Sequence, residues 1–340
     1  VSILARIILL SLSCLVPTMA MATQPSDMAR QASKADYRRP ETIPFPADDP
    51  YTDAKAALGQ ALFFDPILSG SGTRSCATCH NPALSWGDGL PRAIGENQLP
   101  LTLRAPTLFN IAWVPILGWD GKFPDLESVA FGPLLAPNNM NTTEAQLLSR
   151  LAAIPAYLQQ FASAFPGEGI THRSVEQALA TYERTIVSAP APFDRWIDGD
   201  EAAIDETAKH GFDLFTTKAG CSECHSGWSF TDGSFYDIGA ADETDIGRGR
   251  IFTNSPKLMH AFKVPTLRDV ARRAPYLHDG SVSTLAKVVE LYNRGGIDRP
   301  SRSELIKPLG LTEPEEAALL AFLATLTSDP AVVPTPVLPR

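Results

Sequence analysis

Cysteine and histidine are scarce in this sequence, and no long apolar run is present. Five cysteines occur in 340 residues. Cys14 lies in an apolar N-terminal stretch and the other four fall into two identical frames, so no thiol remains for a disulfide. The apolar run Ile7 to Val16 is shorter than the ~20 residues that cross a bilayer, which argues against a membrane-embedded protein. Beyond short hairpins there is no strand-type alternation, so the chain is expected to be mostly α. Lys and Arg number 29 against 38 Asp and Glu, a net charge of −9. That balance disfavours nucleic acid or an anionic membrane as partner; it is compatible with a basic redox partner and with simple solubility.

What is present is a pentapeptide used twice, Cys76-Ala77-Thr78-Cys79-His80 and Cys221-Ser222-Glu223-Cys224-His225. This C-x-x-C-H frame is the attachment site of a c-type haem. Two thiols three residues apart on one helical turn can add to the two vinyl groups of one porphyrin. The adjacent His then lies under the iron as proximal ligand. Cys and His at short spacing also bind zinc. Two copies that use every cysteine outside the leader favour two covalent haems. Their starts are 145 residues apart (221 − 76 = 145), so one haem per domain is expected.

The domain plan follows from composition. Residues 1–22 read as a signal peptide, with Ala20-Met21-Ala22 before the cleavage point, so the mature protein is expected to be exported, soluble and periplasmic. Residues 23–53 form an extended arm, 54–195 a first haem domain, 196–328 a second, and 329–340 a Pro-rich tail expected to be disordered. Helices are expected over 54–64, within 143–165, over 171–188, over 203–215 and from Thr312 to Leu326.

The chain also repeats itself. Arg104-Ala105-Pro106-Thr107-Leu108 leads to Trp119-Asp120-Gly121, and Lys263-Val264-Pro265-Thr266-Leu267 leads to His278-Asp279-Gly280 at one offset (278 − 119 = 159). Leu285, Val288, Val289 and Tyr292 make one apolar helical face that Gly295-Gly296 ends. The same offset gives Leu126, Val129, Ala130 and Pro133 in the first half. Tyr292 is thereby matched by Pro133. A Tyr phenolate can ligate iron and Pro has no ligating side chain, although a core Tyr would satisfy the same stripe.

Together with Phe193-Asp194-Arg195 and Tyr292-Asn293-Arg294-Gly295-Gly296, these motifs resemble the bacterial di-haem cytochrome c peroxidase family, and in particular its MauG-type branch, over about residues 40–328. A methanobactin-associated di-haem enzyme that oxidises a Trp of a partner is a candidate relative. The resemblance implies two cytochrome c-like helical domains related by duplication, two covalent haem c groups and hydrogen peroxide as oxidant. It assigns His80 to the first iron, and His225 and Tyr292 to the second, where small-cytochrome peroxidases carry Met. A hard anionic oxygen favours oxidised iron. Trp119 is implied as the electron relay between the haems, its alternative being a buried aromatic at a turn. Trp86, Trp113, Trp196 and Trp228 read as packing, and His172, His210 and His260 as structural. His278 is a candidate partner of a propionate.

Three departures from the family pattern bear on catalysis. Many members hold a His in the loop after the first motif, where this chain has Gly95-Glu96-Asn97, so the first haem is expected to be open. The family's distal Glu is Asn139, and its Gln four residues before Pro133 is Val129. Asn139 cannot act as a base, which leaves Glu96 and Glu127 as substitutes. Finally, Arg104 stands where an Asn helps hold an inter-haem calcium. Calcium is therefore left open, with the guanidinium a possible source of the same positive charge. The implied activity is oxidation of a partner protein's Trp or Tyr. The alternatives are peroxide scavenging fed by a small redox protein, and a non-enzymatic di-haem electron carrier.

Overall fold

Two helix pairs carry the fold, each closed where a glycine meets a backbone carbonyl. The computed structural model describes residues 34–329 and 332–340. The expected signal peptide, and the arm as far as residue 33, lie outside the described residues. In chain order the helices are α1 (Asp53–Phe64), α2 (Cys76–Cys79), α3 (Leu126–Leu135), α4 (Glu144–Ala152) and α5 (Pro155–Ala164). There follow α6 (His172–Arg184), α7 (Pro192–Ile197), α8 (Glu206–Thr216), α9 (Leu285–Arg294) and α10 (Glu313–Ala324). Strands β1 (Phe235–Tyr236) and β2 (Phe262–Lys263) pair antiparallel, with Phe235 opposite Lys263. No described helix is long and apolar enough to cross a membrane.

Helix α1 starts where the Thr52 hydroxyl accepts from Lys55 N, and α6 starts at a Thr171/Ser174 capping box. They cross at Gly59, where a Cβ would overlap the Ala178 carbonyl oxygen. Helix α8, capped by Asp205, crosses α10 in the same way, Gly211 against the carbonyl of Ala318. Around α1 and α6 the first core gathers Leu58, Leu62, Phe63, Phe131, Tyr157 and Phe161. The second, around α8 and α10, is an aromatic cluster: Phe193 lies 5.5 Å from Phe212 and 5.5 Å from Phe322, and Phe230 lies 6.0 Å from Phe322. Each fully buried Phe contributes roughly 1.5–3 kcal/mol of transfer free energy.

Local structure recurs at the offset read from the sequence. Asn110 and Asp269 are both left-handed and each opens a 3₁₀ turn, Ile111–Trp113 and Val270–Arg272. The isolated bridges Leu117–Phe123 and Tyr276–Val282 occupy equivalent places, as do Gly121 and Gly280, both at positive φ.

Element boundaries differ from expectation where a single residue dictates a stop. The stretch 143–165 is two helices because Pro155 has no N–H to continue the first and sits at N1 of the second. Helix α6 ends at Arg184; beyond it the Ser188 N–H bonds to the Asn110 side chain instead. The second haem motif is a 3₁₀ turn, Cys221–Glu223, entered through the left-handed Gly220. In the tail, Val333 packs against the first core, and the Arg340 guanidinium lies 3.5 Å from Asp65 Oδ2.

Candidate active site

His80 and His225, the expected proximal ligands, are held in the tautomer a metal ligand needs. His80 Nδ1 lies 3.0 Å from the Pro106 carbonyl and 3.2 Å from that of Trp86; His225 Nδ1 lies 2.8 Å from the Phe230 carbonyl. A carbonyl only accepts, so Nδ1 carries the proton and Nε2 presents its lone pair. Burial lowers the pKa of both rings and keeps them neutral. The four thiols are unpaired with one another. Burial pushes Cys221 and Cys224 up to about 12 and raises Cys76 and Cys79 as well.

A cavity of about 390 Å³ brings Cys221, Cys224, His225 and Tyr292 together with Trp119 and Arg104 from the first half. Tyr292 reaches it from the last turn of α9, where Gly295 in the left-handed conformation caps the helix. Burial, then the nearby thiols, raise the Tyr292 pKa. Two thiols able to form thioethers, a neutral imidazole and a phenol around one apolar cavity fit a covalent haem with two protein ligands.

Trp119 is fixed from both sides. Its indole N–H donates to the Arg104 carbonyl at 3.0 Å, and its own carbonyl accepts from Lys263 N on β2 at 2.8 Å. Arg248 Nη1 donates to the Asp120 carbonyl at 2.8 Å. The Trp119 turn of the first half is thus bonded into the second. His278 stacks on Phe262 and places Nε2 3.1 Å from Asp245 Oδ2, so that nitrogen is engaged by a carboxylate, not held for a propionate.

On the first side, Pro133 lies in the last turn of α3, and its carbonyl accepts from Met140 N at 3.2 Å, which folds the Asn139 turn back on the helix. Cys76 and Ala77 pack on the same core as Phe131 and Met140. Val129 packs with Leu117 and Leu126 in a separate small cluster. The two substitute carboxylates part company. Glu127 is gripped bidentately by Arg184 at 2.7 and 3.0 Å, which removes it as a free base. Glu96 N donates to the Asn139 carbonyl at 2.7 Å. Its Oε1 accepts from Ser71 N, whereas its buried Oε2 has no hydrogen-bond partner and lies 3.7 Å from Arg74 Nε.

Sequence reasoning missed Glu183, Lys263 and Arg273. Glu183 sits on α6 near Cys76; burial pushes its carboxyl up to about 8, with Arg184 opposing and Glu127 reinforcing the shift. Lys263 lines the same cavity, and burial, then Arg248, bring its ammonium down to about 8. A signal for Lys263 was available: it is the repeat counterpart of Arg104. Arg273 had none, because its counterpart is Val114. Of the residues read as packing, Trp196 is fully buried and Trp113 meets Trp228 edge-on at 4.8 Å.

A family model described as di-haem cytochrome c peroxidase matches residues 53–202. Cytochrome c551 peroxidase of Nitrosomonas europaea is 32% identical over 300 residues, which cover 87% of this chain and 86% of that protein. The chain belongs to the di-haem cytochrome c peroxidase family, whose members are haem-dependent oxidoreductases carrying two haem c groups. Within the family it is similar to the methylamine utilization protein MauG of Methylorubrum extorquens, 49% identical over 323 residues, covering 94% of this chain and 92% of that one. A solved MauG-like protein associated with microbial copper homeostasis shares 31% identity and superposes with a TM-score of 0.79 over 86% of this chain and 95% of the other.

Proposed function

We propose that this protein is an exported, periplasmic enzyme that uses hydrogen peroxide to oxidise a Trp or Tyr side chain of a partner protein. In this reading the chain is a duplicated unit divided near residues 195–196, with one haem in each half. Cys76, Cys79 and His80 hold the first; Cys221, Cys224, His225 and Tyr292 hold the second. When bound, the haems supply the reaction with peroxide and the storage of oxidising equivalents.

The rest is the work of the chain. Nδ1–H bonds to backbone carbonyls keep His80 and His225 neutral and aimed. Pro133 offers no ligand on the side where Tyr292 offers one. Trp119, fixed at its indole and at its carbonyl, passes charge between the halves. Asn139 orients peroxide through its amide but cannot take its proton. Glu96, whose Oε2 is free of hydrogen bonds beside Arg74 Nε and whose N–H bonds to the Asn139 carbonyl, is the candidate to take that proton.

The observation that carries this reading is the shared cavity, in which Trp119 of the first half lines the same space as His225 and Tyr292 of the second. Similarity to a protein named for methylamine utilization favours a partner from that process. Similarity to a cytochrome c551 peroxidase supports the second reading, a scavenger fed by a small redox protein. The test is to add peroxide to the purified di-haem protein with either reduced small cytochrome or the candidate partner. A protein-modifying enzyme forms a long-lived oxidised state and leaves an oxygenated or cross-linked Trp or Tyr visible by mass spectrometry. Rapid turnover with reduced cytochrome and an unmodified partner would establish scavenging instead. Two six-coordinate haems inert to peroxide would mark an electron carrier.

A further inference from the structure

Arg104 and Arg273 come from opposite halves of the chain and meet in the wall of the cavity, which both line together with His225 and Tyr292. Arg104 Nη2 donates to the Arg273 carbonyl at 3.1 Å, and Arg273 Nη2 donates to the Thr266 carbonyl. The Nε of each is shielded from solvent and has no hydrogen-bond partner. Burial, then Arg104, lower the Arg273 pKa to about 10, as expected for two cations forced together.

The nearby carboxylates do not resolve this. Asp269 Oδ1 is taken by the backbone N–H and hydroxyl of Ser328. Asp88 Oδ1 accepts from Leu90 N, and its Oδ2 is itself buried without a hydrogen-bond partner, so it is not bonded to either guanidinium. Lys263 adds a third cation to the same cavity wall. Buried charge without a counter-charge is costly, and a guanidinium's planar fork of N–H donors is matched by a carboxylate.

We infer that Arg104 and Arg273 form a two-armed carboxylate clamp in the wall of this cavity, which grips the propionates of the porphyrin tethered by Cys221 and Cys224 and needs no divalent cation to do so. The inference rests on the reading of that cavity as a haem site. It adds a partner to Arg104, because a residue from the other half supplies the second arm. The clamp also lies on the path between the halves, since the Arg104 carbonyl receives the Trp119 indole N–H and Arg104 N donates to the His278 carbonyl at 3.0 Å.

The measurement is the reduction potential of each haem in the purified di-haem protein, by spectroelectrochemical titration, for wild type, Arg104→Gln, Arg273→Gln and the double variant. A positive charge beside a propionate favours the reduced iron, so each variant should lower the potential of the second haem, the double variant most. The first haem should move less. Wild type treated with EGTA should keep both potentials and its spectrum. Unmoved potentials in the variants, with both haems attached, would reduce the arginines to structural braces and overturn the clamp. So would a potential that falls with EGTA and recovers with calcium. A shift of the wild-type second-haem spectrum on adding acetate would indicate a diffusible anion as occupant, and would also overturn it. If the glutamine variants fail to fold, Arg104→Met and Arg273→Met, which also remove the charge, decide: a second-haem potential below wild type supports the clamp, and an unchanged one refutes it. Quantifying haem per chain separates the two levels, because a wild type carrying a single haem defeats the di-haem reading itself and not the clamp.

Discussion

Removing the Asp194 carboxylate should unsettle the second half of the molecule more than any loss on the surface. Arg268 is fully buried and its guanidinium meets Asp194 through two bonds, 2.7 and 2.8 Å. Asp194 Oδ2 also accepts from Ala191 N at 2.7 Å, which starts α7. In Asp194→Ala the Arg268 charge stays buried with only the Trp228 carbonyl, 2.8 Å from its Nε, and a fragment of its former network. Breaking such a pair from one side costs about 3–5 kcal/mol. At roughly 2–4 °C per kcal/mol for a unit of 150–250 residues, the apparent midpoint should fall by roughly 6–20 °C. The assay is a thermal scan of the haem-loaded protein at fixed scan rate, followed by far-ultraviolet circular dichroism and by haem absorbance. Trp228 and Phe230 belong to the turn that orients His225, so the second haem's absorbance should change before the helices melt. The double variant Asp194→Leu/Arg268→Met removes both charges and should recover most of the loss. A single variant within 2 °C of wild type, or a double variant as unstable as the two singles combined, would refute the reasoning.

Electron paramagnetic resonance of the resting protein should show one high-spin and one low-spin haem, because Pro133 stands where Tyr292 stands; Tyr292→Phe should alter only the low-spin signal, with no haem lost through Cys221 and Cys224. Restoring a carboxylate in Asn139→Glu should accelerate the reaction with peroxide in stopped flow, and Glu96→Gln should slow it by about 10²-fold or more if Glu96 moves the proton. A Glu96→Gln variant at wild-type rate would transfer that role elsewhere. Asp245 provides a pH test: burial opposes its ionisation, but hydrogen bonds from His278 and Arg250 hold its pKa down at about 2, from an ordinary 3.8. A depressed acid stabilises the fold above its unfolded pKa, and that contribution is lost as pH falls from 3.8 towards 2. Hydrogen exchange around residues 242–250 should therefore rise in that window, and Asp245→Asn should show the fast exchange already at neutral pH.

What the sequence disclosed was whatever depends on spacing. The haem frames, the offset of 159 residues, the apolar face ending in Tyr292 and the turn at Trp119 can all be read along the chain (278 − 119 = 159). Contacts between residues far apart in sequence could not be read. Glu96 and Glu127 looked equivalent until Arg184, from α6, was found closed on Glu127. Nor could the partner of His278 Nε2 be read, Asp245 in a loop dominated by glycine and charge. Arg273 became visible only once folding set it beside Arg104. Helix ends fell between these cases: Pro155 marked its break openly, whereas nothing beside Arg184 marks that stop, and Ser188 beyond it bonds to the distant Asn110 side chain.

The crossings at Gly59 and Gly211 divide the molecule into what can be redesigned and what cannot. At each, backbone rests on backbone, and even a methyl group has nowhere to go. The residues by which the two haem sites are expected to differ are Pro133, Asn139, Tyr292 and Arg104, and none of them supplies the atoms nearest to a Cβ at either crossing. An engineer could therefore exchange ligands, acids and charges around the haems, turning one chemistry into another, on a frame whose two hinge-points of contact are left alone.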